Sequence, residues 1–208
     1  MSRPNNYLIQ AQQAKDRFLS YDQNALITKL KLKADTDYLY TKMLCKTYRI
    51  HRKTGDLQRL DDGIWIDANT FGEVMVLLDL VCDSREDRYI TGRWKNMQSF
   101  GLMFHRNLLE DAVDPFAEMI QADMESFRAV CREMNGITIP GGDISTAIEL
   151  FDGLRIGILF WEGDDEFSPR VRILWDENAL MYIKYETMHF ALGMLKNRIL
   201  DKMKDLTA

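Results

Sequence analysis

The sequence predicts an α+β fold, with antiparallel strands packed against several helices in a single domain. Three observations point there. Apolar residues recur at spacings of three and four in some stretches and crowd into short runs of strand formers in others. The two kinds come in blocks and do not alternate regularly, unlike a doubly wound sheet. Glycine-containing turn signals (Thr54-Gly55-Asp56, Pro140-Gly141-Gly142-Asp143, Asp152-Gly153) border the strand-like runs.

In chain order, Asn6 is expected to cap a first helix over 7–19, with Leu8, Ala11, Ala14 and Phe18 forming its apolar stripe. A short second helix follows Asp22 and carries Leu26, Ile27 and Leu30. Strand formers dominate 38–43 and 47–51, and 57–60 returns as a further strand after the turn at Gly55. Asn69-Thr70 offers an N-cap to a core helix bearing Val74, Leu77, Leu78 and Val81 and ending near Cys82. Residues 83–88 form a solvated connector, and Thr91-Gly92-Arg93-Trp94 opens a short strand leading toward Phe100-Gly101.

Asp114-Pro115 reads as cap and first-turn proline of one long helix over 115–134, stopped by Asn135-Gly136. Short strands are expected at 137–139, 146–150, 154–160 and 171–175. A last helix over 186–204 turns Met188, Leu192, Leu195 and Ile199 inward.

The composition excludes several classes of protein. Of 208 residues, 46% are hydrophobic and 28% charged, enough to bury a core without staples. The net charge of −5, from 32 acidic and 27 basic residues, supplies no basic footprint for nucleic acid and no attraction to an anionic membrane. No apolar run approaches the roughly 18 to 20 residues that span a bilayer. Met1 to Asn6 leads into a mixed polar segment, so a soluble, cytoplasmic protein is expected. Cys45, Cys82 and Cys131 stand apart, without C-x-x-C spacing, and argue against disulfide, zinc or iron–sulfur frameworks. Cys82 and Cys131 fall on apolar helix faces and read as small core residues. His51, His105 and His189 are scattered, with no metal-ligand spacing. No nucleotide loop, nucleophile elbow or zincin motif occurs, and no cofactor is predicted.

The densest polar feature is Trp161-Glu162-Gly163-Asp164-Asp165-Glu166-Phe167-Ser168-Pro169, followed by Arg172 and by Trp175-Asp176. Two readings stand. In one, Glu162, Asp164, Glu166 and Asp176, with Arg172 and His189 nearby, line a pocket walled by Trp161 and Trp175, where desolvation would raise a carboxyl into the range of a general acid. In the other, the segment is the turn of a hairpin: both tryptophans are core, Phe167 folds inward as a plug, Asp165 faces solvent, and Asp176 caps the turn that follows. The spacing does not match an EF-hand, so no metal is assigned.

The same segment, with Ile173-Leu174-Trp175-Asp176 and Asn178-Ala179, resembles the signature of the family known as domain of unknown function 3786. Val76-Leu77-Leu78-Asp79-Leu80, Thr91-Gly92-Arg93-Trp94 and Gly141-Gly142-Asp143 resemble that family's leucine-rich helix, T-G-x-W step and G-D turn in the same order. The likeness covers about 21–200 of a single domain spanning 1–208, leaving 1–20 as a helical extension. It departs at Trp175, where the family usually has phenylalanine, and near Ser168-Pro169, where it has a proline pair. The resemblance implies a place in the metabolism of anaerobic bacteria and archaea and assigns no catalytic residue. The cysteine-rich iron–sulfur module of some members has no counterpart in these three cysteines. Function therefore reads as a binding or accessory protein for a small molecule or protein partner, or as an acid–base enzyme built on the four carboxylates.

Overall fold

The computed structural model describes residues 6–100 and 114–207. Gly101 and His105, named above, lie outside the described residues. The architecture is mixed α+β with two antiparallel sheets, and the chain divides into two compact units. No helix among the described residues is long and apolar enough to cross a membrane.

The first unit takes residues 1–89 and 181–191. Its helices are α1 (Asn6–Ser20), α2 (Gln23–Leu30) and α3 (Phe71–Asp83), joined by the first turns of the last helix, α6 (Tyr185–Thr207). Five strands follow one another in sequence order across its sheet: β1 (Lys33–Ala34), β2 (Tyr38–Met43), β3 (Lys46–His51), β4 (Leu57–Asp61) and β5 (Ile64–Asp67). Strand β5, unassigned from sequence, returns through Asp62-Gly63, both at positive φ (45° and 81°), as a primed hairpin turn requires. Leu39, Tyr48, Ile50 and Leu57, on one face of β2–β4, are completely buried. Helix α3 sits over that face: Tyr48 donates to Glu73 Oε1 (3.1 Å), and at the helix start Thr70 Oγ1 accepts Glu73 N–H (3.4 Å) as an N-cap and donates to Glu73 Oε2 (2.8 Å). Helix α1 buries Ala14 and Phe18, whereas Leu8, expected in its stripe, is 70% exposed. Lys31 in the left-handed region closes α2.

The second unit takes residues 90–180 and 192–208. Its sheet runs β6-β9-β8-β7, from β6 (Trp94–Asn96), β7 (Ile144–Phe151), β8 (Leu154–Trp161) and β9 (Arg170–Asp176). Residues 137–139 make only the single bridge Ile137↔Ala147 and no strand. The long helix expected over 115–134 is two: α4 (Pro115–Ala122) and α5 (Met124–Glu133). Asp123 breaks it. Its backbone leaves the helical region (φ −151°, ψ 74°) and its carboxylate accepts Ser126 N–H at 3.0 Å, so it caps α5 instead of continuing α4. Cys82 in the first unit and Cys131 in the second are buried, and burial pushes each thiol up to about 12.

Candidate functional site

Residues 162–169 join β8 to β9, and two anchors outside the segment hold its entrance. Asp143 Oδ2 accepts Glu162 N–H at 2.8 Å, while Asp143 N–H donates to Phe160 O at 2.8 Å. Gln121 of α4 accepts Gly163 N–H at 3.0 Å. Both glycines at these contacts are sterically required. A Cβ on Gly142 (φ +68°) would meet Phe160 O at 2.6 Å, and one on Gly163 would meet Pro169 at 2.6 Å.

The turn closes on its own polar groups. Asp164 Oδ1 accepts Glu166 N–H (2.9 Å) and Phe167 N–H (2.8 Å), and Asp164 N–H donates to Phe167 O (2.9 Å). Those backbone bonds hold the Asp164 carboxyl below its ordinary range. Gln121 and residues 163–169 line a hollow of about 420 Å³. Phe167, expected to fold inward, is 69% exposed. Local hydrogen bonds already fix the turn, so no apolar plug is needed to hold it. Asp165 faces solvent as expected, and so do Glu162, Asp164 and Glu166.

The remaining sequence candidates separate. Trp175 is fully buried. Trp161 is only half-buried, at the edge of a cluster of Ile139, Ala147 and Leu159 with Trp94 and Leu174. Arg170 and Arg172 stand over the Trp161 ring, 4.8 and 5.3 Å from its centroid. Asp176 lies at the far end of β9, about 20 Å along the strand from Arg170 at some 3.3 Å per residue. It is buried and saturated: Oδ2 accepts Gly92 N–H (2.7 Å) and Thr91 N–H (3.0 Å), Oδ1 accepts Asn178 N–H (2.9 Å), and the Thr91 hydroxyl contacts both oxygens. Asp176 thus ties the Thr91-Gly92 step to β9 and caps the following turn. Among the described residues, no three His, Cys, Asp or Glu side chains group so as to hold a metal ion.

A second polar cluster, in the first unit, went unread in the sequence. Asp79 and Asp83 stand one turn apart on α3. Asp83 accepts Tyr21 OH (2.8 Å) and the side chains of Arg17 and Lys184. Asp79 Oδ2 accepts Lys184 N–H at 3.0 Å. The available signal was context: Val74, Val76, Leu77, Leu78, Leu80 and Val81 are all buried, so an aspartate within that run is buried too.

The model of a family described as a domain of unknown function (DUF3786) matches residues 22–198, most of the chain. No curated protein and no solved structure matches it.

Proposed function

The chain belongs to the DUF3786 family, and within it we propose that this member is a cytoplasmic binding or accessory protein of anaerobic prokaryotic metabolism that presents residues 162–169 to a protein partner. One observation carries the reading: an aromatic ring, Phe167, stands 69% exposed on a loop whose backbone is pinned at Asp143, Gln121 and Asp164. An exposed aromatic on a pre-ordered loop loses little conformational entropy on docking, which favours its use as an anchor. The exposed Asp164, Asp165 and Glu166 precede it in the same loop, so the partner surface that fits is an apolar pocket rimmed by lysine or arginine. An acid–base enzyme would need Glu162, Asp164, Glu166 and Asp176 to converge. The solvent-facing loop acids and the saturated Asp176 support the binding reading instead.

Native mass spectrometry of protein purified anaerobically from its own source tests this. The expected result is a stoichiometric protein partner retained by the parent, lost on Phe167→Ala, and weakened by rising salt in the parent but bound more weakly and with little salt dependence by an Asp165→Asn, Glu166→Gln variant. A partner retained by Phe167→Ala, or a bound small molecule with no partner, would overturn it.

A further inference from the structure

We infer, on the reading of residues 162–169 as a docking element, that their partner is a second copy of this chain and that the outer face of its five-stranded sheet receives them. The strand register builds that face. Side chains opposite one another in neighbouring strands share a face, so Lys33, Tyr40, Arg49, Gln58 and Asp67 form one row across β1 to β5. Tyr38 and His51 lie on one side of the row, and Lys42 with Thr47 and Leu60 with Trp65 on the other. None of these side chains is buried, whereas Leu39, Tyr48, Ile50 and Leu57 on the opposite face are.

A fixed cation stands at the centre. The Arg49 guanidinium carbon lies 4.1 Å from the ring centroid of Tyr38 and 4.4 Å from that of Trp65, and its Nε donates to Gln58 Oε1 at 2.7 Å. A guanidinium held this way loses little freedom when its terminal N–H groups meet carboxylates. Lys33 and Lys42 are exposed, and neither has an ion-pair partner among the described residues. The acids at the border are engaged locally. Asp35 accepts the Tyr40 hydroxyl (2.6 Å) and the amides of Asp37 (2.9 Å) and Tyr38 (2.7 Å), and Asp67 accepts the Asn69 side chain (2.6 Å). The uncompensated charge of this face is therefore positive, on a chain whose net charge is −5.

Charge and shape select the occupant. Tyr40, Leu60 and Trp65 offer apolar surface to Phe167, and Lys33, Lys42 and Arg49 flank it where Asp165 and Glu166 need cations. The Tyr38 and Tyr40 rings are tilted 51° to each other, and those of Tyr40 and Trp65 57°, so they form no coplanar platform for stacked nucleotide bases. Loop and sheet face are different patches of the chain, so the contact is heterologous and continues from copy to copy as a ring or an open chain.

Sedimentation velocity on the purified protein tests this. The mass of the parent should rise above that of one chain with concentration up to about 1 mM and return to it as salt is raised. Phe167→Ala and the double variant Lys33→Glu, Lys42→Glu change only exposed side chains, and each should weaken association about tenfold or more. An equimolar mixture of the two should form a complex of two chains and stop there, because each keeps the half that the other lost. A parent that stays a single chain up to about 1 mM, association untouched by either variant, a mixture that does not pair, or a face that takes up a single-stranded oligonucleotide in place of the loop would overturn the proposal. The loop reading fails separately: a monomeric parent that holds a different protein through Phe167 in native mass spectrometry keeps residues 162–169 as a docking element and removes only the second copy as its partner.

Discussion

The loop at 162–169 and the pair on α3 are both acidic, and they differ in every physical respect that matters. The loop packs four carboxylates into five residues, Glu162 to Glu166, yet all face water and its bonds are local, between residues two or three apart or to single anchors. The α3 pair is only two aspartates in an apolar run, yet it is buried and draws partners from α1 and from the segment that opens α6, some 60 to 100 residues away in sequence. Density of charge along a chain therefore says little about the environment of that charge. Burial is decided by the neighbours, and an acid placed among leucines is the one whose chemistry changes.

The comparison can be broken most decisively at Asp79. Asp79→Ala removes one member of a buried charged cluster and leaves Lys184 N–H without its acceptor, so unfolding in urea should show a loss of about 3–5 kcal/mol. A loss under 1 kcal/mol would place the pair in the same class as the loop. Next comes Asp176, the sequence candidate that is buried. Asp176→Ala strands the amides of Thr91, Gly92 and Asn178 and should lower stability by about 3 kcal/mol, with faster hydrogen exchange at Thr91 and Gly92.

A smaller effect separates the regions by pH. The Asp83 carboxyl is held at about 2, so its stabilising contribution is present above the ordinary value of about 3.9 and is lost as pH falls through about 2. Urea midpoints measured downward from pH 5 should drop for the parent, with a shallower drop for Asp83→Asn. The smallest expected effect is in the loop. Phe167→Ala should leave the thermal midpoint unchanged, because the ring is exposed, and Asp164→Ala should speed amide exchange at Glu166 and Phe167 without unfolding the protein. A destabilised Phe167→Ala would show that the ring packs after all.

Much of the fold was legible because it rests on local rules. Thr70 and Glu73 announce α3, Asp152-Gly153 announces the β7–β8 hairpin, and Asn135 stops α5 at φ 53°. Strand β5 was equally legible, since Asp62-Gly63 precedes Ile64-Trp65-Ile66, but a turn signal is informative only when both flanks are weighed. Asp123 shows the opposite limit. Its flanks continue the apolar period of one helix, and only its cap bond to Ser126 reveals two. At the candidate site, the turn of 162–169 and the exposure of Asp165 followed from Gly163, Pro169 and polarity alone.

The sequence by itself determined the α+β class, the family and the existence of an ordered acidic turn, because capping, periodicity and turn chemistry act between residues a few positions apart. Only the tertiary structure decided that Phe167 faces out, that Trp161 lies beneath two arginines, that Asp176 is a buried anchor at the far end of its strand, and that Asp79 and Asp83 meet Arg17, Tyr21 and Lys184. Those outcomes depend on desolvation and on partners brought from distant positions, and no short window of sequence contains them.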